Sequence, residues 1–476
     1  MTITRAEFVR AAAVLAVAPR LRFAAAVDPR VRTLDRAVRG PVLALGTAAY
    51  ERARLVYNAR FNTIAPLAVV QPLDARDVQA VVRWASQTRV PIVARSGGHS
   101  YAGYSTTRGV VVDLSRIAGV QASGGRAVVG AGARLGRVYA RLADHGVAIP
   151  AGSCPSVGIA GLALGGGFGL ASRAWGLTCD NLVAVDVVTA DGRLLSCDAK
   201  RHADLFWALR GGGGGNFGIA TRFVFRTHPV RSGSYFVATF PWSAVEEVVD
   251  RFLRWAPAAP DALGPICRLA AGGASPSVQV FGQFLGEESE LKSVLGGLTA
   301  GLPAPRLSTG SASWLDLVRR WADCFGSLEA CTVAEPQEFA AGSDYINRVP
   351  PGIGATLRRA VEQRGTESGA ILLDSYGGAV NRVRPAAAAF VHRRERSSVQ
   401  YFATGEPAAA RGWVRATRAA MRPHVSGFAY QNYIDPDLAD WKHAYYGANL
   451  ARLTAVKRAY DPRNLFHFAQ SIPLRP

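Results

Sequence analysis

The chain has 476 residues, enough for two or three domains, and its 49% hydrophobic against 19% charged content supplies a buried core, which excludes an intrinsically disordered polymer. The 55 Lys+Arg against 35 Asp+Glu give a formal charge of +20. The basic residues are scattered singles and pairs without zinc spacing, an RRM signature or a helix-turn-helix pattern, which argues for a solvated basic surface and against nucleic acid as a partner.

The first 26 residues have the layout of an export signal. A polar, basic start precedes the apolar stretch Ala11–Ala18, and a small-residue site follows at Ala24–Ala26. Thr4–Arg10 resembles a twin-arginine signal, with Ala6 where the second arginine belongs, and Arg20 and Arg22 cut the apolar stretch short. Export and a cytoplasmic location with an N-terminal helix are both open readings. No run of about 18 apolar residues occurs, so no membrane-spanning helix is expected. The six cysteines (Cys154, Cys179, Cys197, Cys267, Cys324 and Cys331) are too sparse for a disulfide scaffold, and without a C-x-x-C no metal site is expected. Cys324 and Cys331 form either one local bridge or two buried thiols.

Between 27 and 229 the pattern is compact α/β. Leu67–Val70 reads as a strand, and Asp74 or Asp77 caps a helix with Val78, Val81, Val82 and Ala85 on its apolar face. Val90–Ala94 is the next strand, ending in R-S-G-G-H-S. There Gly97 and Gly98 let successive backbone N–H groups approach an anion, with Arg95 and Ser96 beside them, a nest suited to a pyrophosphate. No helical pattern follows over 101–105, so this is not a Rossmann turn; read alone, G-G-H is a tight turn with a bystander histidine. The G-x-G-x-x-x-G run from Gly130 to Gly136 lacks the acidic residue a dinucleotide site needs, and reads as a strand–helix corner. Glycines at 158, 161, 165, 166, 167 and 169 are too dense for an ordinary helix and suit backbone lying against a large flat ligand. A strand over 183–189, a short helix over 204–210, the run Gly211–Gly215 and a strand through Ile219, Phe223 and Phe225 complete the region.

From 230 to 426 alternating strands, such as 235–240, 277–281 and 397–402, are separated by helices such as 242–255, which suggests an antiparallel sheet covered by helices. At the C-terminus, Y-Q-N-Y at Tyr430–Tyr433 precedes a helix through Leu450, Leu453, Val456 and Lys457 that ends before Asp461-Pro462.

In order, R-S-G-G-H-S at Arg95, C-P-S-V-G at Cys154, G-G-G-F-G at Gly165, G-L-T-C-D-N-L at Gly176, G-G-G-N-F-G at Gly213 and the C-terminal segment resemble the berberine-bridge-enzyme-like FAD-linked oxidases of the vanillyl-alcohol-oxidase superfamily. The resemblance covers roughly residues 40–230 and the C-terminus. It implies an α+β fold: a two-part PCMH-type FAD-binding domain over 27–229, a substrate domain over 230–426, and a segment over 427–476 that returns to the FAD domain. It further implies that His99 bonds the flavin 8α-methyl through a ring nitrogen and that Cys154 bonds carbon 6 through sulfur. Arg95, Ser96, Gly97, Gly98, Ser100, Val157, Gly158, Gly161, Gly165, Gly169, Gly218 and Ile219 are expected at the cofactor, with Val157 where a small side chain admits oxygen. Tyr430 and Asn432 are expected to touch flavin or pocket.

Tyr433 matches the family's catalytic base. A free tyrosine titrates near ~10, so this role requires neighbouring positive charge or hydrogen bonds to the phenolate. Tyr376 and Gln400 match pocket positions; polar tips on a sheet are the alternative. His392 reads as structural. The implied activity is oxidation of a hydroxyl of a carbohydrate or a glycosylated or phenolic natural product, with molecular oxygen reoxidising FAD to give hydrogen peroxide. A flavin dehydrogenase using another acceptor is the alternative enzyme, and a basic polyanion-binding protein with a vestigial flavin fold the alternative of another class. Neither the substrate's identity nor the oligomeric state is legible.

Overall fold

Short Val-rich runs at Val42–Ala44, Ala68–Val70, Ile92–Arg95 and Val110–Asp113 pair into the first sheet of the computed structural model, which describes residues 28–272 and 275–475. The signal-like segment 1–26 lies outside the described residues. Strands 68–70, 110–113 and 92–95 run parallel, which requires crossovers, and helix Ala75–Thr88 supplies one. Asp74 caps it by accepting from the amides of Arg76 and Asp77, and the expected apolar face is buried. Asp77 instead accepts from the amides of Gly40 and Leu73, tying the preceding turn to the helix.

The second sheet is antiparallel, in the order 120–123, 126–130, 219–226, 182–188, 194–198. The Gly130–Gly136 run is the corner between strand Arg126–Gly130 and helix Leu135–Ala143, and a Cβ on Gly132 would fall on the Leu114 carbonyl. The glycine-dense stretch departs from expectation, because Ile159–Leu164 forms a short helix. Its Ile159, Ala160, Ala163 and Leu164 are buried, and this packing outweighs the poor helix propensity of Gly161.

The third sheet has seven strands, all antiparallel to their neighbours, in the order 306–313, 232–240, 277–284, 263–271, 369–375, 397–404, 339–346. Period-two alternation divides its faces. Leu269, Val278 and Leu373 join a core with Val248 and Phe252 of helix Val245–Trp255, Leu357 of Ile353–Arg364 and Trp413 of Pro407–Met421. The opposite face carries Ile266, Phe281, Leu372 and Gln400 and looks into a cavity. The architecture is α+β.

The C-terminal residues return to the first two sheets. Tyr430, Tyr445, Leu453, Val456 and Ile472 share one core with Val129 and Phe223. Within it the Lys457 ammonium donates to Asp461 Oδ2 (2.7 Å) and to the carbonyls of Asn216 (2.7 Å) and Phe466 (2.5 Å), and both charged side chains are fully buried. Lys457→Met removes one partner of a buried pair and leaves the other charge uncompensated, so it lowers unfolding free energy in denaturant by about 3–5 kcal/mol. Cys324 and Cys331 form a disulfide, which settles that choice. His392 is buried and stacked on Tyr345 at 4.4 Å, a structural position as the sequence suggested. Among the described residues no helix is long and apolar enough to cross a membrane.

Candidate active site

A cavity of about 910 Å³ lies between the glycine-rich loops and C-terminal segment on one side and the open face of the seven-stranded sheet on the other. That is the upper end of small-molecule sites, roughly 300–1,000 Å³. Two loops meet at it backbone to backbone. A Cβ on Gly97 would lie 2.2 Å from the Gly158 amide nitrogen, and one on Gly158 equally close to the Gly97 nitrogen, so only glycines permit this approach. Gly98 turns the chain with φ +76°, and Ser96 Oγ donates to the Ala131 carbonyl at 2.6 Å. The contact brings His99, after the first loop, and Cys154, at the start of the second, to the same cavity.

The His99 ring stacks on Tyr57 at 4.2 Å. Burial, with Arg134 adding repulsion, pushes its pKa down to about 4, so near pH 7 it is a neutral imidazole with a free nitrogen lone pair. Cys154 is the exposed free cysteine, whereas Cys179, Cys197 and Cys267 are buried. Its side chain faces the cavity, and the desolvating surroundings hold the thiol above its usual range.

Of the other expected cofactor residues, Ser96, Gly97, Gly98, Ser100, Val157, Gly158, Gly161, Gly169 and Gly218 line the cavity, as do Tyr430 and Asn432. Tyr430 Oη accepts from the amides of Gly167 and the Asn432 side chain, both at 2.9 Å, which fixes both residues against the glycine-rich stretch. Three residues expected at the cofactor lie outside the cavity lining. Arg95 is buried with its guanidinium on Asp113 (2.9 Å) and on the carbonyl of Ala53, where it clamps the chain beneath the loop. Gly165 gives way to the Asn432 side chain, whose Oδ1 a Cβ would strike. Ile219 is a buried strand residue paired with Val188.

At the reactive end, Tyr433 and Gln400 reach the cavity as expected. Tyr376 does not. It follows strand Gly369–Ser375 as the chain turns away, and it is fully buried, stacked behind the half-buried, cavity-lining Phe168 at 5.1 Å and sharing a 2.9 Å hydrogen bond with the equally buried Tyr345 Oη. The charge expected to tune Tyr433 is also different. Burial pushes its hydroxyl well above the usual tyrosine value, and the Asp374 carboxylate pushes it further, so Tyr433 keeps its proton near neutral pH.

Two residues that sequence reasoning missed complete this end. Asp374 lines the cavity, accepts from Ser398 Oγ at 3.3 Å, and is pushed up to about 7 by burial. Tyr101 stacks on Tyr433 at 5.5 Å, nearly parallel, and accepts a 2.7 Å hydrogen bond from Gln400 Nε2. Asp374 had a signal, a lone acid ending the apolar run I-L-L-D; Tyr101 stands two residues beyond His99 in the same loop.

The lining fits a large flat cofactor. At Gly161 a Cβ would meet no atom within 4 Å, so any larger residue would project into the space. The buried Ser105 Oγ, also on the lining, has no protein partner.

The family model described as FAD binding domain matches residues 66–198, and that described as berberine and berberine like matches 429–473. An uncharacterised FAD-linked oxidoreductase of Bacillus subtilis (strain 168) is 33% identical, with 89% of this chain and 94% of that protein covered. A carbohydrate oxidase of Microdochium nivale is 32% identical, with 91% and 92% covered. The solved structure of Physcomitrella patens BBE-like 1 superposes with a TM-score of 0.88 at 32% identity, covering 94% of this chain and 100% of that one. Together with the paired glycine loops and the returning C-terminal segment, these place the chain in the berberine-bridge-enzyme-like family of FAD-linked oxidoreductases.

Proposed function

We propose that this protein oxidises a carbohydrate hydroxyl with an FAD bonded to both His99 and Cys154. The observation that carries this reading is the convergence of a neutral imidazole and a cavity-facing thiol in the same cavity as Tyr433 and Asp374. His99 and Cys154 would hold the flavin ring edge, and the amides of the loop at 96–98 its phosphates. Bound there, the flavin supplies a hydride acceptor for the substrate carbon and an electron store that molecular oxygen empties to give hydrogen peroxide.

The chain's own residues handle position and the proton. Tyr433 meets the substrate hydroxyl, and Tyr101, fixed by Gln400, holds the ring of Tyr433 from one side. Because Tyr433 retains its own proton, it is not the final acceptor. Asp374, poised near neutral pH, takes the proton that leaves with the hydride. The name of the Microdochium nivale relative, carbohydrate oxidase, supports the same substrate class.

Peroxide assay in air tests the reading. Addition of glucose, lactose, cellobiose or xylobiose to the purified yellow protein should release hydrogen peroxide with at least one of them. Sugar-dependent bleaching of the flavin without peroxide would mean a dehydrogenase with another acceptor.

A further inference from the structure

The seven-stranded sheet carries an unpaired cation on its cavity face. Arg268 stands on strand Leu263–Ala271, the fourth of seven across the sheet. Its neighbours in sequence, Cys267 and Leu269, point into the helix-covered core, whereas Arg268 is exposed and lines the cavity. Its cross-strand neighbours are Gln279 on one side and Leu372 on the other, and neither is an acid. The register puts Asp374 diagonal to it, opposite Ile266, yet the two make no ion pair, and what opposes Asp374's raised pKa is Ser398. Among the described residues Arg268 has neither a carboxylate nor a hydrogen-bond partner, unlike Arg319, paired with Asp316, and Arg382, paired with Asp261.

Two further features surround it. Phe281, opposite Ile266 and therefore diagonal to Arg268, stacks with Trp321 at 5.5 Å, and both rings line the cavity. Such a pair presents a flat apolar platform of the kind sugar rings lie on. Across the sheet, Gln400 pairs with Leu372 and Leu372 with Arg268. Gln400 and Arg268 thus occupy one row, two inter-strand spacings of about 4.8 Å apart. Gln400 marks the reactive end through Tyr101 and Tyr433, so Arg268 stands within a disaccharide's reach of it.

Building on the oxidase reading, we infer that the substrate is an acidic oligosaccharide whose second sugar carries a carboxylate. The reacting ring sits beside Gln400 and Tyr433. The next ring lies toward the Phe281–Trp321 platform, and its carboxylate takes the Arg268 guanidinium in a charge-assisted, two-pronged contact. The net charge of +20 favours approach of such a substrate over a neutral one.

The test uses the whole flavin-loaded protein and compares peroxide formation from cellobiose and from cellobiouronic acid, the same disaccharide with a glucuronic acid as its second ring. The expected result is a kcat/KM at least about tenfold higher for the acid, carried in KM and shrinking as salt is added. In R268Q the acid-to-neutral ratio falls to about one, and in R268K, which keeps the charge but not the fork, it falls part of the way. An equal or lower kcat/KM for the acid in the parent protein, or a preference that survives R268Q, overturns the inference while leaving the oxidase reading intact. If neither sugar is oxidised, the oxidase reading is decided by the other sugars of the peroxide assay, and quenching of tryptophan fluorescence decides the subsite alone. Tighter binding of the acid that is lost in R268Q supports it, and equal binding of the two sugars overturns it.

Discussion

Asp374→Asn lowers kcat at pH 7 by about 10²–10⁴-fold, the contribution of a positioned general base. The substitution keeps the shape and can still accept from Ser398, so folding and flavin content are retained and the loss is chemical. The parent enzyme's pH profile carries the same signature. Burial raises the Asp374 carboxyl to about 7, so below that pH it is protonated and cannot accept. Log kcat/KM therefore climbs as pH rises toward about 7 and levels off above it, and the variant lacks this limb. Tyr433→Phe removes the hydroxyl proposed to meet the substrate and falls in the same range of loss. Its residual activity keeps the limb near 7, because the titrating group is still Asp374. Steady-state rates of both variants across pH separate the two roles.

The second large effect concerns the flavin itself. On the proposed double attachment, each single variant, His99→Ala or Cys154→Ala, leaves one bond, so yellow colour still follows the protein through acid precipitation. The double variant leaves none, and acid releases all of the flavin it binds. The two positions are not equivalent before attachment. His99 is held neutral, with its lone pair available near pH 7. The Cys154 thiol is held above its usual range, so few molecules carry the reactive thiolate at neutral pH. Reconstitution of flavin-free protein at pH 7 therefore forms the His99 bond first, and raising the pH speeds the Cys154 bond more than the His99 bond. Time-resolved intact-mass measurement on the two single variants checks the order.

Much of this was legible in the sequence because it rests on local rules. The helix over 75–88 follows from Asp74 and a 3.6-residue apolar period, and the large sheet from period-two alternation. Gly97 and Gly158 were legible as glycines with a purpose, but not that the purpose was mutual contact, since residues 61 positions apart meet only in the fold. The failures share one cause. Arg95 looked like a phosphate ligand by its place beside the glycines, but strand alternation turned its side chain toward Asp113. Tyr376 lay one residue past the end of its strand, where the face it would take depends on the Gly377 turn. Asp374, two residues before it, was fixed by the alternation that Tyr376 escaped. The state of Tyr433 depended on a neighbour from another strand, which no spacing in the chain reveals.

The most direct measurement is mass analysis of a protease digest of the purified yellow protein. The account predicts a single flavin mass joining the peptide that contains His99 to the peptide that contains Cys154, with neither found free in quantity. Recovery of both peptides unmodified, with the flavin in the acid-soluble fraction, would contradict it.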